Sequence, residues 1–367
     1  MVELENVYRR LQQHLDQMPI GFPKAKSGSD LRLLKILFTP EEAKIASFLK
    51  FGWYRDIEAL DQIYSRIKST GISLQELEKS LEIMATKGII LSKREGKKKY
   101  YGNAPLIVGM YEFQVDKLSK EFLEALGAYL GEIWGKEANP TNIDQMRYIP
   151  VEVSIEPEHG IAHYENVRQI IESCTGPFVK VNCVCRQTND LLGEPCKMTN
   201  HRDNCLGFGP MAQMYIDQGY GIEISKEETL KILERNRKEG LILRPNNSQN
   251  VEFICSCCYC CDGAISSLQE MTEPANYVLS NYYSEIDPIL CTGCSTCIER
   301  CQIKAITLID NKCLIDKKRC IGCGNCIGTC PSDAIALHKK KEQFIPPPTM
   351  DDLYDLIQKE KMKMKNQ

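Results

Sequence analysis

Eight cysteines near the carboxyl end of the chain follow one spacing twice, and this spacing suits an iron–sulfur cube. Residues 291–301 read CTGCSTCIERC and residues 320–331 read CIGCGNCIGTCP, so each contains a Cys-x2-Cys-x2-Cys-x3-Cys run. The two-residue gaps let one tight loop bring three thiolates to a single [4Fe–4S] cluster, whereas the fourth cysteine ligates the partner cluster. A zinc ribbon needs only two Cys-x2-Cys pairs around one ion and fits this pattern poorly.

This rule predicts two sets of ligands, each drawn from both runs. Ligand set 1 consists of Cys291, Cys294, Cys297 and Cys330. Ligand set 2 consists of Cys301, Cys320, Cys323 and Cys326. We predict that each set holds one [4Fe–4S] cluster.

Residues 284–340 resemble the bacterial-type dicluster ferredoxin domain. The resemblance includes small-residue segments after each run, at 304–306 and 332–335, and a strand-like segment before the second run. It implies two short hairpins packed around two cubes with pseudo-two-fold symmetry. Gln302 stands where that family usually has proline, and we expect its loop to be looser or its cluster potential altered. Cys313, between the runs, is predicted to be a small buried hydrophobe.

Nine further cysteines lie in the middle of the chain. They form a first subcluster and a dense second one, namely Cys183, Cys185, Cys196 and Cys205, then Cys255, Cys257, Cys258, Cys260 and Cys261. The first has enough thiols for one closed site. In the second, adjacent side chains at 257/258 and 260/261 are expected to diverge, so that only two or three share a centre.

Four interpretations of this region stay open: one further [4Fe–4S] cluster, two further clusters, a zinc site, or free buried thiols. We favour at least one cluster, because nearby cubes can exchange electrons with it whereas zinc is redox-silent. Arg186, beside Cys185, is predicted to offset thiolate charge or to donate to cluster sulfur. The alternative for Arg186 is a surface or linker ion pair.

Residues 30–113 resemble a winged helix-turn-helix domain. The pattern predicts two helices, over 40–51 and 56–69, then a third between Ser73 and Gly88 that opens on a capping box. A hairpin with a basic turn follows. However, the solvent-facing positions of the third helix are Gln75, Glu76, Glu78, Lys79 and Glu82. The three carboxylates among them would repel a polyanion. We therefore expect a surface for protein docking or homo-oligomerisation rather than for nucleic acid.

As a whole, the chain resembles uncharacterised iron–sulfur proteins that join a winged-helix-like front, a cysteine-rich centre and a dicluster ferredoxin domain. The predicted fold class is α+β and multidomain. The predicted segments are a winged-helix-like domain (30–113), an amphipathic connecting helix (114–138), a cysteine-rich iron–sulfur domain (147–275), a dicluster ferredoxin domain (284–340) and a tail helix (346–367). The family implies electron transfer and little else.

Composition narrows the function further. The chain has 367 residues, a net charge of −3 and 19 cysteines. Its start lacks the apolar region of a signal peptide and no run is long enough for a membrane span, so we expect reduced thiols in a cytoplasmic, anaerobic setting. No acid–base pair, nucleophile elbow or dinucleotide fingerprint is present. We predict an electron-transfer component of an oxidoreductase system without catalytic activity of its own; the alternative is a redox-responsive transcription regulator.

Overall fold

A computed structural model describes residues 2–137, 141, 143–151 and 163–365 of the chain. Residue 138 of the predicted connector, residues 152–162 of the predicted central domain and residues 366–367 of the tail lie outside this description. The chain divides into two compact units. The first takes residues 1–143, 213–220 and 350–367, and the second takes residues 144–212 and 221–349. Among the described helices, none has the length and apolar composition needed to cross a bilayer.

The first unit contains the helices and the hairpin that the sequence predicts. The capping box is present, since the Ser73 hydroxyl accepts from the Glu76 amide and Glu76 accepts from the Ser73 amide. Membership of the winged-helix family stays a prediction. The elements are α1 (Val2–Leu15), α2 (Ser29–Leu37), α3 (Pro40–Ala46), β1 (Glu58–Ala59), α4 (Leu60–Ile67), α5 (Leu74–Lys87), β2 (Ile90–Glu95), β3 (Lys98–Asn103) and α6 (Lys120–Glu137).

Two predicted helix boundaries in this unit were wrong. The first helix ends at Ala46 rather than at residue 51. The second helix begins at Leu60 rather than at residue 56, because Glu58 and Ala59 pair with β3 as a short strand. The carboxylate of Glu58 is buried and bound by Arg66, which holds the segment in place. The result is a three-stranded antiparallel sheet in the order β1–β3–β2.

The basic residues of the hairpin largely face acidic partners. Lys99 pairs with Glu82 of α5, and Arg94 lies 3.2 Å from Asp217. Lys93 contacts Glu95 within the same strand. Surface ion pairs contribute little stability, but they reduce the positive field that a nucleic-acid site requires. Three of the basic side chains of the hairpin are therefore at least partly neutralised by neighbouring carboxylates.

The C-terminal helix, Met350–Lys365, packs within the first unit through its first turn. One carboxylate, that of Asp351, accepts backbone hydrogen bonds from Trp53 at 2.7 Å, Tyr54 at 3.2 Å and Arg55 at 3.1 Å. The ring of Tyr354 packs near that of Trp53, which is fully buried. Because one carboxylate accepts hydrogen bonds from three successive amides, it holds the loop of residues 53–55 against the first turn of the C-terminal helix.

The second unit contains a five-stranded antiparallel sheet in the order β6–β4–β5–β8–β7 and a carboxyl-terminal half of short hairpins. The structure joins the predicted central and ferredoxin segments in this one compact unit. Its elements are α7 (Val167–Ser173), β4 (Phe178–Val181), α8 (Val184–Leu191), β5 (Cys205–Phe208), α9 (Gly209–Asp217, which ends in the first unit), β6 (Ile222–Ile224), α10 (Lys226–Lys238), β7 (Ile242–Pro245), β8 (Phe253–Cys257), α11 (Gly263–Glu270), β9 (Tyr282–Ile286), α12 (Thr296–Arg300), β10 (Ile306–Ile309), β11 (Lys312–Ile315) and β12 (Ile335–Lys339).

The two faces of this sheet have different chemistry because side chains alternate along each strand. Leu206 and Ile254 are cross-strand neighbours on one face, where α7 and α10 cover them with apolar side chains. Cys205 and Cys255 are neighbours on the opposite face. Cys255 and Cys257 of that face pack with apolar residues of the ferredoxin half, including Ile303 and Ile321. The sheet therefore directs its thiols toward the predicted cluster sites.

The contact of Asp351 with the loop generates a prediction. Asp351→Ala removes three charge-assisted hydrogen bonds, each worth about 1.5–3 kcal/mol. We expect the amides of Trp53, Tyr54 and Arg55 to exchange with deuterium about tenfold faster or more. Asp352→Ala is the matched control, since this neighbouring carboxylate lies 3.6 Å from Arg55 and is half-exposed. Equal exchange in both variants would contradict the anchoring role.

Candidate metal centres

The four cysteines of ligand set 1 line one cavity. Cys313 also lines it, on the strand β11. Backbone amides donate to two of the sulfurs: Cys313 N–H to Cys291 Sγ at 3.4 Å, and Ala334 N–H to Cys330 Sγ at 3.3 Å. The first of these donors lowers the pKa of Cys291, because it stabilises the thiolate.

Ligand set 2 lines a second cavity. The donor pattern repeats: Ala305 N–H donates to Cys301 Sγ at 3.2 Å, and Ser284 N–H to Cys320 Sγ at 3.4 Å. The hairpin β10–β11 and the pair β9–β12 supply equivalent donors to the two cavities. Four thiols around each cavity, with amides aimed at sulfur, fit a [4Fe–4S] cube, although the assignment of individual ligands stays a prediction.

A glycine inside each ligand loop is required by close backbone approach. Gly293 has φ 73°, and a Cβ atom there would lie 2.3 Å from the carbonyl oxygen of Asn311. Gly322 is its counterpart in the second loop. Its φ is 68°, and a Cβ atom there would lie 2.3 Å from the carbonyl oxygen of Tyr282. Each loop therefore requires glycine at this position, because a side chain would collide with the neighbouring backbone and prevent the tight turn.

A third group of thiols, which we call the four-thiol group, is far more compact. Its sulfurs all lie within 4.8 Å of one another and belong to Cys196, Cys258, Cys260 and Cys261. The distances from Cys196 are 3.6 Å to Cys258 and 3.9 Å to Cys260. Cys260 lies 3.7 Å from Cys258 and 3.8 Å from Cys261. Among the residues that the structure describes, no other group of three or more such ligand atoms is this close.

The other central cysteines form a separate, more extended five-thiol group: Cys183, Cys185, Cys205, Cys255 and Cys257. Hydrogen bonds join them in a chain that runs from Cys185 through Cys183, Cys205 and Cys255 to Cys257. The hydrogen bond from Cys185 lowers the pKa of Cys183, whereas the bond to Cys183 raises the pKa of Cys205. Adjacent thiols in this chain therefore influence one another's protonation.

The structure therefore divides the central cysteines differently from their order in the chain. Cys196 leaves the first sequence subcluster and joins three cysteines of the second. The expectation that Cys260 and Cys261 diverge to different centres was wrong: their sulfurs are close because the chain turns between β8 and α11. The regrouping depends on contacts between residues 62 positions apart, which spacing rules do not reach.

Arg186 is fully buried between the two central groups. Its guanidinium donates to Cys258 Sγ at 3.3 Å and to the backbone oxygen of Ser256 at 3.0 Å. Burial alone would lower the pKa of Arg186, but the charges of Cys183 and Cys258 raise it above its ordinary value. The alternative of a surface ion pair is excluded by this burial.

Three residues near these groups have roles that the sequence did not reveal. Arg244, cross-strand from Cys255, pairs with Asp262 at 3.1 Å. Asp262 also caps α11, since it accepts from the Ile265 amide at 2.8 Å. Gln302 is buried and accepts from the Tyr259 amide at 2.8 Å, and it also donates to the Gly240 carbonyl. The residue that replaces the family's proline therefore ties the loop of ligand set 2 to the four-thiol group.

The tight loop of ligand set 1 generates a prediction. Gly293→Ala forces a positive φ on a side-chain residue and a clash with Asn311, so we expect loss of the cluster at ligand set 1. The measurement is iron and sulfide per chain after anaerobic purification. Gly263→Ala is the control, because a Cβ there meets nothing within 4 Å. Full iron in Gly293→Ala would disprove the requirement.

Comparison with known proteins agrees with the carboxyl-terminal part of this description. No curated protein and no solved structure matches the chain. Residues 314–336 match the family model described as 4Fe-4S binding domain, which covers the second cysteine run. The match supports the prediction of a ferredoxin-type iron–sulfur segment in this part of the chain and of at least one [4Fe–4S] cluster there.

Proposed function

We propose that this protein transfers single electrons through two [4Fe–4S] clusters in its ferredoxin half, to or from a separate redox partner. The observation that carries the proposal is the pair of neighbouring cavities, each lined by four cysteines drawn from both runs. When bound, [4Fe–4S] clusters accept and release one electron at a time. The amides that donate to Cys291, Cys301, Cys320 and Cys330 stabilise the negative charge of the reduced state.

The exposed side of ligand set 1 supports a partner contact there. Cys294 is exposed, whereas Cys291 and Cys297 of the same set are buried. Ligand set 2 lies deeper, because Cys320 and Cys326 are buried and Cys323 is only partly accessible. A partner that approaches Cys294 reaches the outer ligand set first, so ligand set 1 is the proposed point of exchange.

The five-thiol group is proposed to hold a third [4Fe–4S] cluster. No three of its sulfurs meet the spacing of the four-thiol group, and Cys255 and Cys257 share an apolar core with Cys320, Cys301 and Cys323 of ligand set 2. Two buried cations offset thiolate charge in this group, with Arg186 acting on Cys183 and Arg244 on Cys255. The proximity of the five-thiol group to ligand set 2 supports an electron-transfer route from the five-thiol group through ligand set 2 to ligand set 1.

The winged-helix-like region fits this function as a docking or oligomerisation surface. Three of its hairpin cations, Lys93, Arg94 and Lys99, are paired with acidic residues, and the exposed face of α5 is acidic. Transcriptional regulation would require DNA binding by this region. Absence of a gel shift at low salt is the expected result, and specific binding would favour regulation instead.

The exit through ligand set 1 is tested by Cys294→Ala in the anaerobically purified protein. We expect loss of about four irons and four sulfides per chain, because one cube loses a ligand. Electron transfer to a one-electron acceptor protein should slow strongly, while electron paramagnetic resonance still detects the remaining reduced clusters. Cys174→Ala is the control, since this cysteine belongs neither to the two ligand sets nor to the four-thiol and five-thiol groups. Unchanged transfer in Cys294→Ala would refute the proposed exit.

The third cluster is tested by Cys255→Ala. This variant should lose about four irons and four sulfides while the two ferredoxin-type signals persist. Zinc loss without sulfide loss would show that the five-thiol group holds zinc, and the proposed route would then begin at ligand set 2.

A further inference from the structure

The four-thiol group has the dimensions of a site for one metal ion. A tetrahedral ion with metal–sulfur bonds of about 2.3 Å places its four sulfurs about 3.8 Å apart. The separations among Cys196, Cys258, Cys260 and Cys261 are 3.6, 3.7, 3.8 and 3.9 Å for four of the six pairs. The remaining pairs lie within 4.8 Å.

The ferredoxin half of the same unit provides an internal comparison. A cube assigns each thiolate to its own iron, so three or more of its ligand sulfurs do not crowd together within contact distance of one another. Ligand sets 1 and 2 follow this pattern, because each lines a separate cavity and neither has three sulfurs within 4.8 Å of one another. The four-thiol group has the opposite arrangement, with sulfurs in mutual contact.

We propose that Cys196, Cys258, Cys260 and Cys261 bind a single thiophilic divalent ion in a tetrahedral site, and not an iron–sulfur cluster. Four thiolates around one such ion leave a net charge of −2, which must be offset in a partly buried site. Arg186 supplies a buried cation that donates to Cys258 Sγ at 3.3 Å. The Lys197 amide donates to Cys260 Sγ at 3.4 Å, as a second-shell hydrogen bond to a metal thiolate would.

The location of this ion gives it a structural role. Cys196 lies in the loop between α8 and β5, and its three partners lie between β8 and α11, so the ion closes a loop of more than 60 residues. Tyr259, between two of the ligands, donates its amide to Gln302, which follows Cys301 of ligand set 2. The ion therefore fixes the loop that contacts Gln302, the neighbour of Cys301. A zinc ion in this site would have this structural role and would not carry electrons.

Metal and sulfide analysis of the full chain tests the proposal. Cys196→Ala, purified anaerobically, should lose about one metal ion per chain with no loss of sulfide relative to wild type. The ion lost identifies the occupant: zinc or iron lost alone, without sulfide, supports the single-ion site. Loss of about four irons together with four sulfides would overturn it, and so would no loss of metal at all.

Two further variants keep the test decisive. If Cys196→Ala does not fold, Cys261→Ala removes a half-buried ligand of the same group and should give the same stoichiometry. Cys174→Ala should change neither metal nor sulfide. Adding Co²⁺ alone to protein freed of the ion by a chelator should give the visible ligand-field bands of a tetrahedral thiolate, and these should be missing in Cys196→Ala. Cys294→Ala reports on sulfide in the ferredoxin half, whereas Cys196→Ala reports on the single-ion site. Failure of the electron-transfer proposal and failure of the single-ion proposal can therefore be told apart.

Discussion

The structure depends above all on how it accommodates many thiolates in a small volume. Negative charges brought close together in a partly buried region repel one another, and each must be met by a cation, an amide or a metal. The second unit contains the first two, and the third is the subject of the proposals above. Arg186 lies fully buried between the two central groups, Arg244 adjoins Cys255 across the sheet, and backbone amides point at sulfurs of both ferredoxin-type cavities.

The five-stranded sheet makes this arrangement possible because its two faces are chemically separate. Leu206, Phe208 and Ile254 bury one face against α7 and α10, which supplies the ordinary apolar core. The opposite face carries Cys205, Cys255 and Cys257 toward the ferredoxin half. A protein with thiols on both faces would lack the apolar layer that holds the sheet, so the alternation of side chains lets one scaffold provide stability and ligands together.

Local patterns predicted much of both the fold and the candidate site. The capping box at Ser73 and Glu76, the hairpin that follows α5 and the run of ligand loops all depend on neighbours within a few residues, and the structure contains each of them. Helix boundaries were less reliable: β1 formed where a helix was predicted, since pairing with β3 outweighs local preference. Gln302 drew attention as a departure from a family pattern, but its partners Tyr259 and Gly240 could not be inferred.

By itself, the sequence determined that the carboxyl-terminal cysteines suit iron–sulfur clusters, because Cys-x2-Cys-x2-Cys-x3-Cys encodes ligand geometry in short loops where chain distance limits spatial distance. Only the tertiary structure decided how the central cysteines divide. The register of β5 with β8 sets Cys205 against Cys255, fifty residues away in the chain, and a loop contact brings Cys196 to Cys258. Sheet register and loop packing are cooperative properties of the whole unit, and so no spacing rule could assign these thiols.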